Sequence, residues 1–165
     1  MKILPIITIT DPLLKQTSVC IEEITKEIKI LIENLKTTLY AHPRCVGIAA
    51  VQVGISQRII VVDASQSSKE NRNNGLLIMI NPNIIYSSGK ISSREGCLSI
   101  PDFVGNVVRK KKIEVEYTDI NGKIQKLGTS GFEAIVIQHE IDHLDGKVFL
   151  DRVISLSTDV FRRQN

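Results

Sequence analysis

The sequence has little of what most readily announces a function. Three cysteines in 165 residues are too few, and odd in number, for a disulfide framework, so a reducing compartment fits better. No apolar run approaches the roughly 20 residues of a membrane span, so no membrane partner is implied. The formal charge is only +3, which gives no argument for DNA. The tightest basic run, Arg109-Lys110-Lys111-Lys112, is expected to be a solvated face. No cleaved leader is expected either: Lys2 makes a positive start, but Pro5 interrupts the apolar stretch and Asp11-Pro12 follows with no small-residue cleavage site. The chain is therefore expected to start with its mature domain and to work in the cytoplasm. Repeats and linkers are absent, and the length suits one domain, read as residues 1–165. With 42% hydrophobic and 24% charged residues, a disordered chain is excluded.

The periodicity changes along the chain. Ile21, Ile24, Ile28, Leu31, Ile32, Leu35 and Leu39 recur every three or four residues and predict a helix over 21–39. Thr17 or Ser18 would cap it, Glu22 and Glu23 would sit in its first turn, and Pro43 would stop it. Cys20 at its start reads as a small buried hydrophobe. Residues 58–62 and 76–80 read as buried strands, the second ended by Asn81-Pro82, with a polar loop from Asp63 to Gly75 between them. Ile113, Val115 and Tyr117 alternate with Glu114 and Glu116 as in a half-buried strand. Asp119-Ile120-Asn121-Gly122 turns that strand into a partner over 123–127. A second helix is predicted from Gly131, with Gly146 as its stop. Only about two helical turns fit after Ser155. Helix, strands, then helix predict an α+β fold: a single compact domain with mixed or antiparallel sheets around the second helix.

That second helix carries the chemistry. In Gln138-His139-Glu140-Ile141-Asp142-His143, two of the chain's three histidines stand four apart. On a helix they share a face and can reach one metal ion. Glu140, beside the first, can take a proton from water and hand it on. A catalytic metal needs a third protein ligand and an open position. Position 149 is Phe149, not the histidine of the extended metalloprotease pattern. No Glu follows Glu140, and Asp145, Asp151 and Asp159 are short for the task. The remaining option is Cys97, in Arg94-Glu95-Gly96-Cys97-Leu98-Ser99, where Gly96 would permit a tight turn and a cation would stabilise the thiolate. His42, before Pro43, reads as a surface loop residue. Two rivals stand beside a hydrolase of this type. One is a general metallopeptidase, and the other is a non-catalytic metal-binding domain, which would have no use for Glu140 or Gln52.

Three segments, taken in order, resemble peptide deformylase: Gly47-Ile48-Ala49-Ala50-Val51-Gln52-Val53-Gly54, Glu95-Gly96-Cys97-Leu98-Ser99, and 138–143. The resemblance covers nearly the whole chain. It implies removal of the formyl group from the N-terminal formyl-methionine of new polypeptides, by attack of a metal-held water or hydroxide. It further implies Cys97, His139 and His143 as ligands and Glu140 as general acid/base. The oxyanion donors would be the Gln52 amide and the Leu98 N–H. Ile48, Phe132, Ile135 and Val136 would surround the methionine side chain, and the Gly47 backbone would pair with an extended peptide. The implied metal is Fe²⁺, with Zn²⁺, Ni²⁺ or Co²⁺ able to substitute. The implied partners are N-formylmethionyl nascent peptides, with a transient ribosome contact. The family's first motif usually reads Gly-x-Gly-Leu-Ala-Ala-Pro-Gln, whereas here its first Gly is Cys45, its Leu is Ile48 and its Pro is Val51. If position 45 needs φ > 0, a side chain costs about 1–2 kcal/mol there. A shifted loop with a second thiol near the site is then expected.

Overall fold

A computed structural model describes residues 1–164. Two antiparallel sheets flank a buried helix. The five-stranded sheet comprises β1 (Gly47–Ala49), β2 (Ile59–Asp63), β3 (Leu76–Ser88), β6 (Lys112–Thr118) and β7 (Ile124–Ser130), in the order β1-β2-β3-β6-β7. The three-stranded sheet comprises β4 (Ile91–Cys97), β5 (Ile100–Arg109) and β8 (Val160–Arg162), in the order β4-β5-β8. β1 and β4 are therefore both edge strands, each with one row of backbone groups outside its sheet's ladder.

The first helix, α1 (Lys26–Ala41), starts later than its apolar stripe. Thr25, not Thr17 or Ser18, caps it, accepting from the Ile28 N–H at 3.3 Å. Ile21 is held outside the helix by Asn81, whose Oδ1 accepts the Ile21 N–H and whose Nδ2 donates to its carbonyl. Cys20 is exposed, correcting the buried reading. Buried Ile32, Leu35 and Leu39 of α1 pack with Ile48, Ile59, Val61 and Ile80 on one face of the sheet.

The other face packs on α2 (Gly131–Leu144), in a cluster with Val51, Ile60, Val62, Met79, Val115, Ile137, Ile141 and Leu144. Every residue of α2 from Glu133 to Leu144 is buried. A helix covered all round must carry polar side chains that find partners inside. Glu133 does so: its carboxylate accepts from the Asn74 N–H, the Asn74 amide and the Thr129 hydroxyl, tying the 67–75 loop and β7 to the start of α2. Gly146 stops the helix at φ 74°, as expected. It also must be small, since a Cβ there would lie 2.6 Å from the Lys15 carbonyl oxygen.

Three further expectations need correction. Asn81-Pro82 does not end β3; pairing with β6 resumes at Asn83 after a register shift, with Asn81 at φ 51°. Pro82 falls in that gap, where a missing N–H leaves no ladder bond unmade. Arg109 is buried, not part of a solvated run. After Ser155 the chain makes one helical turn, α3 (Leu156–Asp159), and then β8.

Candidate active site

Three segments meet between the sheets. α2 presents His139 and His143 on one face. Cys97 ends β4, and its pairing with Ile100 closes the two-residue turn that holds Leu98 and Ser99. The ligand atoms of Cys97, His139 and His143 all lie within 4.8 Å of one another, and all three residues are buried. Cys97 Sγ is 3.3 Å from His143 Nε2. His139 Nδ1 is 2.8 Å from Glu95 Oε1. That bond fixes the ring and leaves Nε2 for the cluster, as the carboxylate partners of metal-binding histidines do.

The donor set fits a divalent cation. Thiolate and imidazole donors suit zinc or iron, and three ligands leave a position open. Two polar atoms of the α2 side chains are buried with no hydrogen-bond partner, Glu140 Oε2 and His143 Nδ1. An unbonded carboxylate oxygen deep in a protein is costly unless something else comes to it. Electrostatics agree. Burial alone would raise the Cys97 thiol, yet the His143 and His139 rings reverse this and hold it well below the usual thiol range. Burial would lower His139, but Cys97 and Glu95 raise it well above the ordinary imidazole value. Burial raises Glu140 above the ordinary carboxylate range, with the two histidines opposing and Cys97 and Glu95 adding to it.

Gln52 follows β1 in a short 3₁₀ turn. Its Oε1 accepts the Ala49 N–H at 2.9 Å. The amide orientation is thereby set, and Nε2 points at Cys97 Sγ, 3.3 Å away, and Ser99 Oγ, 3.2 Å away. Gly47 lies against Glu140: a Cβ there would be 2.7 Å from Glu140 Oε1. Leu98 is half-buried, next to Cys97.

The four residues expected around a methionine side chain are not all brought together. Val136 and Phe132 share the α2 cluster, and Ile135 is buried on the same helix. Ile48 instead points to the opposite face of β1 and packs under α1. Val46, just before β1, joins Val136 and Phe132 in its place. The expected strain at Cys45 is also misplaced: the left-handed residue is Arg44, at φ 69°. Cys45 itself is half-buried, and its thiol donates to the Gly47 carbonyl at 3.2 Å. His42 caps the end of α1, its Nδ1 2.8 Å from the Thr38 carbonyl.

The family model of polypeptide deformylase matches residues 3–159. The chain belongs to this family. Among its relatives, a peptide deformylase of Syntrophobacter fumaroxidans is 38% identical over 164 residues, covering 99% of this chain and 94% of the relative. Peptide deformylase 2 of Nitrosomonas europaea is 44% identical, covering 92% and 78%. Among solved structures, the Ehrlichia chaffeensis peptide deformylase in complex with actinonin superposes with a TM-score of 0.86 at 35% identity, covering 95% of this chain and 92% of that one. The Thermotoga maritima deformylase gives 0.84 at 34% identity, covering 93% and 99%. Deformylases hydrolyse formyl-methionine peptides, and this chain is a metal-dependent enzyme of that activity. Neither the general metallopeptidase nor the non-catalytic reading gains support from the comparisons.

Sequence reasoning passed over the charges behind the deformylase site. Arg109, 3% exposed at its side chain, donates from Nε and Nη2 to both oxygens of Glu95, at 2.8 and 2.7 Å, and from Nη1 to Asp142 at 2.6 Å. Arg152 binds Asp142 from the outside, at 2.8 and 3.0 Å. The only signal in the sequence was that Glu95 and Asp142 stand within the two motifs.

Proposed function

We propose that Cys97, His139 and His143 hold one divalent cation, Fe²⁺ in the cell with Zn²⁺, Ni²⁺ or Co²⁺ as substitutes, and that Glu140 is the general acid/base of formyl-group hydrolysis. The observation that carries this is the buried, unbonded Glu140 Oε2 beside three clustered donor atoms. When bound, the cation supplies the Lewis acidity that brings a water within reach of ionisation near pH 7. Glu140 takes the proton of the attacking water as the oxygen adds to the formyl carbon. The negative charge that develops on the formyl oxygen is met by the Gln52 amide and the Leu98 N–H. Each preorganised donor is worth about 10²–10³ in rate. The C–N bond then breaks, Glu140 returns the proton to the leaving amine, and formate departs.

The substrate end of a nascent chain would run between the free edges of β1 and β4, pairing with the Gly47 backbone. Its methionine side chain would enter between Phe132, Ile135 and Val136, with Val46 beside them. Ile48 would shape this wall through its backbone. Nascent chains as substrate make the cytoplasm the expected place of action and bring brief encounters with the ribosome.

The test is anaerobic reconstitution with Fe²⁺ and a formyl-Met tripeptide. Formate release is expected, with the acetylated analogue much slower. Glu140→Ala should abolish turnover and keep one metal per chain; substantial activity in that variant would remove Glu140 from the role.

A further inference from the structure

The segment after the C-terminal strand places an arginine over Gly96, one residue from Cys97, that the reaction above does not use. β8 runs antiparallel to β5, with Phe103 opposite Arg162 and Gly105 opposite Val160. Past its end, the Arg163 N–H donates to the Asp102 carbonyl at 2.8 Å. The strand is also clasped from β4, where the Arg94 guanidinium sits 4.5 Å from the centre of the Phe161 ring. So held, the Arg163 side chain lies over Gly96. A Cβ at position 96 would be 2.5 Å from Arg163 Nη2 and 3.3 Å from its Cζ.

Gly96 is exposed, while its neighbours Glu95 and Cys97 are buried. The guanidinium therefore stands on the outer side of the strand that carries Cys97, one residue from it. Among the described residues it has no carboxylate within ion-pair distance, unlike buried Arg109 and exposed Arg152 nearby, which both have one. Arg94 and Arg162 are exposed on the same small sheet and add positive charge. A peptide lying along the free edge of β4 would pass this group with the residues that follow its methionine.

We propose that Arg163 is a specificity-determining residue that favours peptides with a carboxylate side chain one or two positions after the formyl-methionine; this rests on the deformylase reading of the site. A solvent-exposed ion pair of this kind changes binding by at most about fivefold, and it weakens with salt.

The test uses the full chain loaded with Fe²⁺ under anaerobic conditions. The substrates are formyl-Met-Xaa-Ala and formyl-Met-Ala-Xaa, with Xaa as Glu, Gln or Lys. In one of the two series the Glu peptide should exceed the Lys peptide in kcat/KM by about three- to fivefold, mainly through KM. Arg163→Gln should bring the ratio near one, and Arg163→Lys should keep most of it. A purely structural role would lower all peptides together and leave the ratio intact. A ratio near one in the unaltered protein, or one that survives Arg163→Gln, overturns the proposal. Should Arg163→Gln fail to fold, raising NaCl to about 0.5 M decides on the unaltered protein, because an ion pair must lose its preference and a salt-independent ratio refutes it. The Gln peptides report separately on deformylation itself.

Discussion

Replacing Arg109 by methionine should destabilise the fold by about 3–5 kcal/mol, the usual consequence of removing one partner from a buried ion pair. The structure says where the damage falls. Asp142 keeps Arg152, whose side chain is 43% exposed and can follow it. Glu95, 6% exposed, keeps only His139. Both of its oxygens lose their guanidinium bonds at a position only 6% exposed. For a chain of this size each kcal/mol moves Tm by about 2–4 °C, so a fall of roughly 6–20 °C is expected. The assay is urea unfolding followed by circular dichroism, on chelator-stripped and metal-loaded protein in parallel, so that metal linkage is kept apart from the fold. Glu95→Gln and the double variant complete the cycle. If the cost is a stranded charge, Arg109→Met with Glu95→Gln must be less unstable than Arg109→Met alone. Metal affinity should fall about 10–100-fold in Arg109→Met, since Glu95 orients His139. A loss under about 1 kcal/mol, or strict additivity in the double variant, would refute the reasoning.

Three shorter predictions follow from the same geometry. Gly47→Ala places a methyl 2.7 Å from Glu140 Oε1; it should reduce kcat about 10²-fold by displacing the carboxylate, with little change in Tm, and near-normal kcat would show that Glu140 tolerates the shift. Gln52→Ala should reduce kcat/KM about 10²–10³-fold while leaving metal content unchanged, as measured by steady-state assay and metal analysis. Burial and the nearby Glu140 push the Cys45 thiol up to about 12, so at pH 8 an aromatic disulfide reagent should titrate exposed Cys20 at once and Cys45 only slowly. Fast labelling of Cys45 itself, located by peptide mass spectrometry, would contradict that environment.

What could be read from the sequence was local; what could not depended on distant partners. The His139–His143 spacing needs only a helix, and it gave the metal face directly. The apolar stripe gave α1 but not its start, because Ile21 is held by the side chain of Asn81, 60 positions away. The same Asn81 seemed to close a strand that β6 in fact continues. β4 and β5 escaped pattern reading because their buried positions include Glu95 and Arg109, which neutralise each other inside. A rule that places charges at the surface holds for each residue alone and fails for the pair.

The two glycines of the motifs make the same point about cause. Gly96 was expected to serve a tight turn, yet it is not among the positive-φ positions. Gly47 carries no such strain either. Each is small because something must come close: the Glu140 carboxylate at one, the Arg163 guanidinium at the other. Both stand on edge strands, facing a peptide that would lie between them. Backbone strain would make alanine costly to the fold at either position. Close approach predicts instead that alanine spares the fold and displaces a charged side chain, so the loss should appear as turnover at Gly47 and as peptide preference at Gly96.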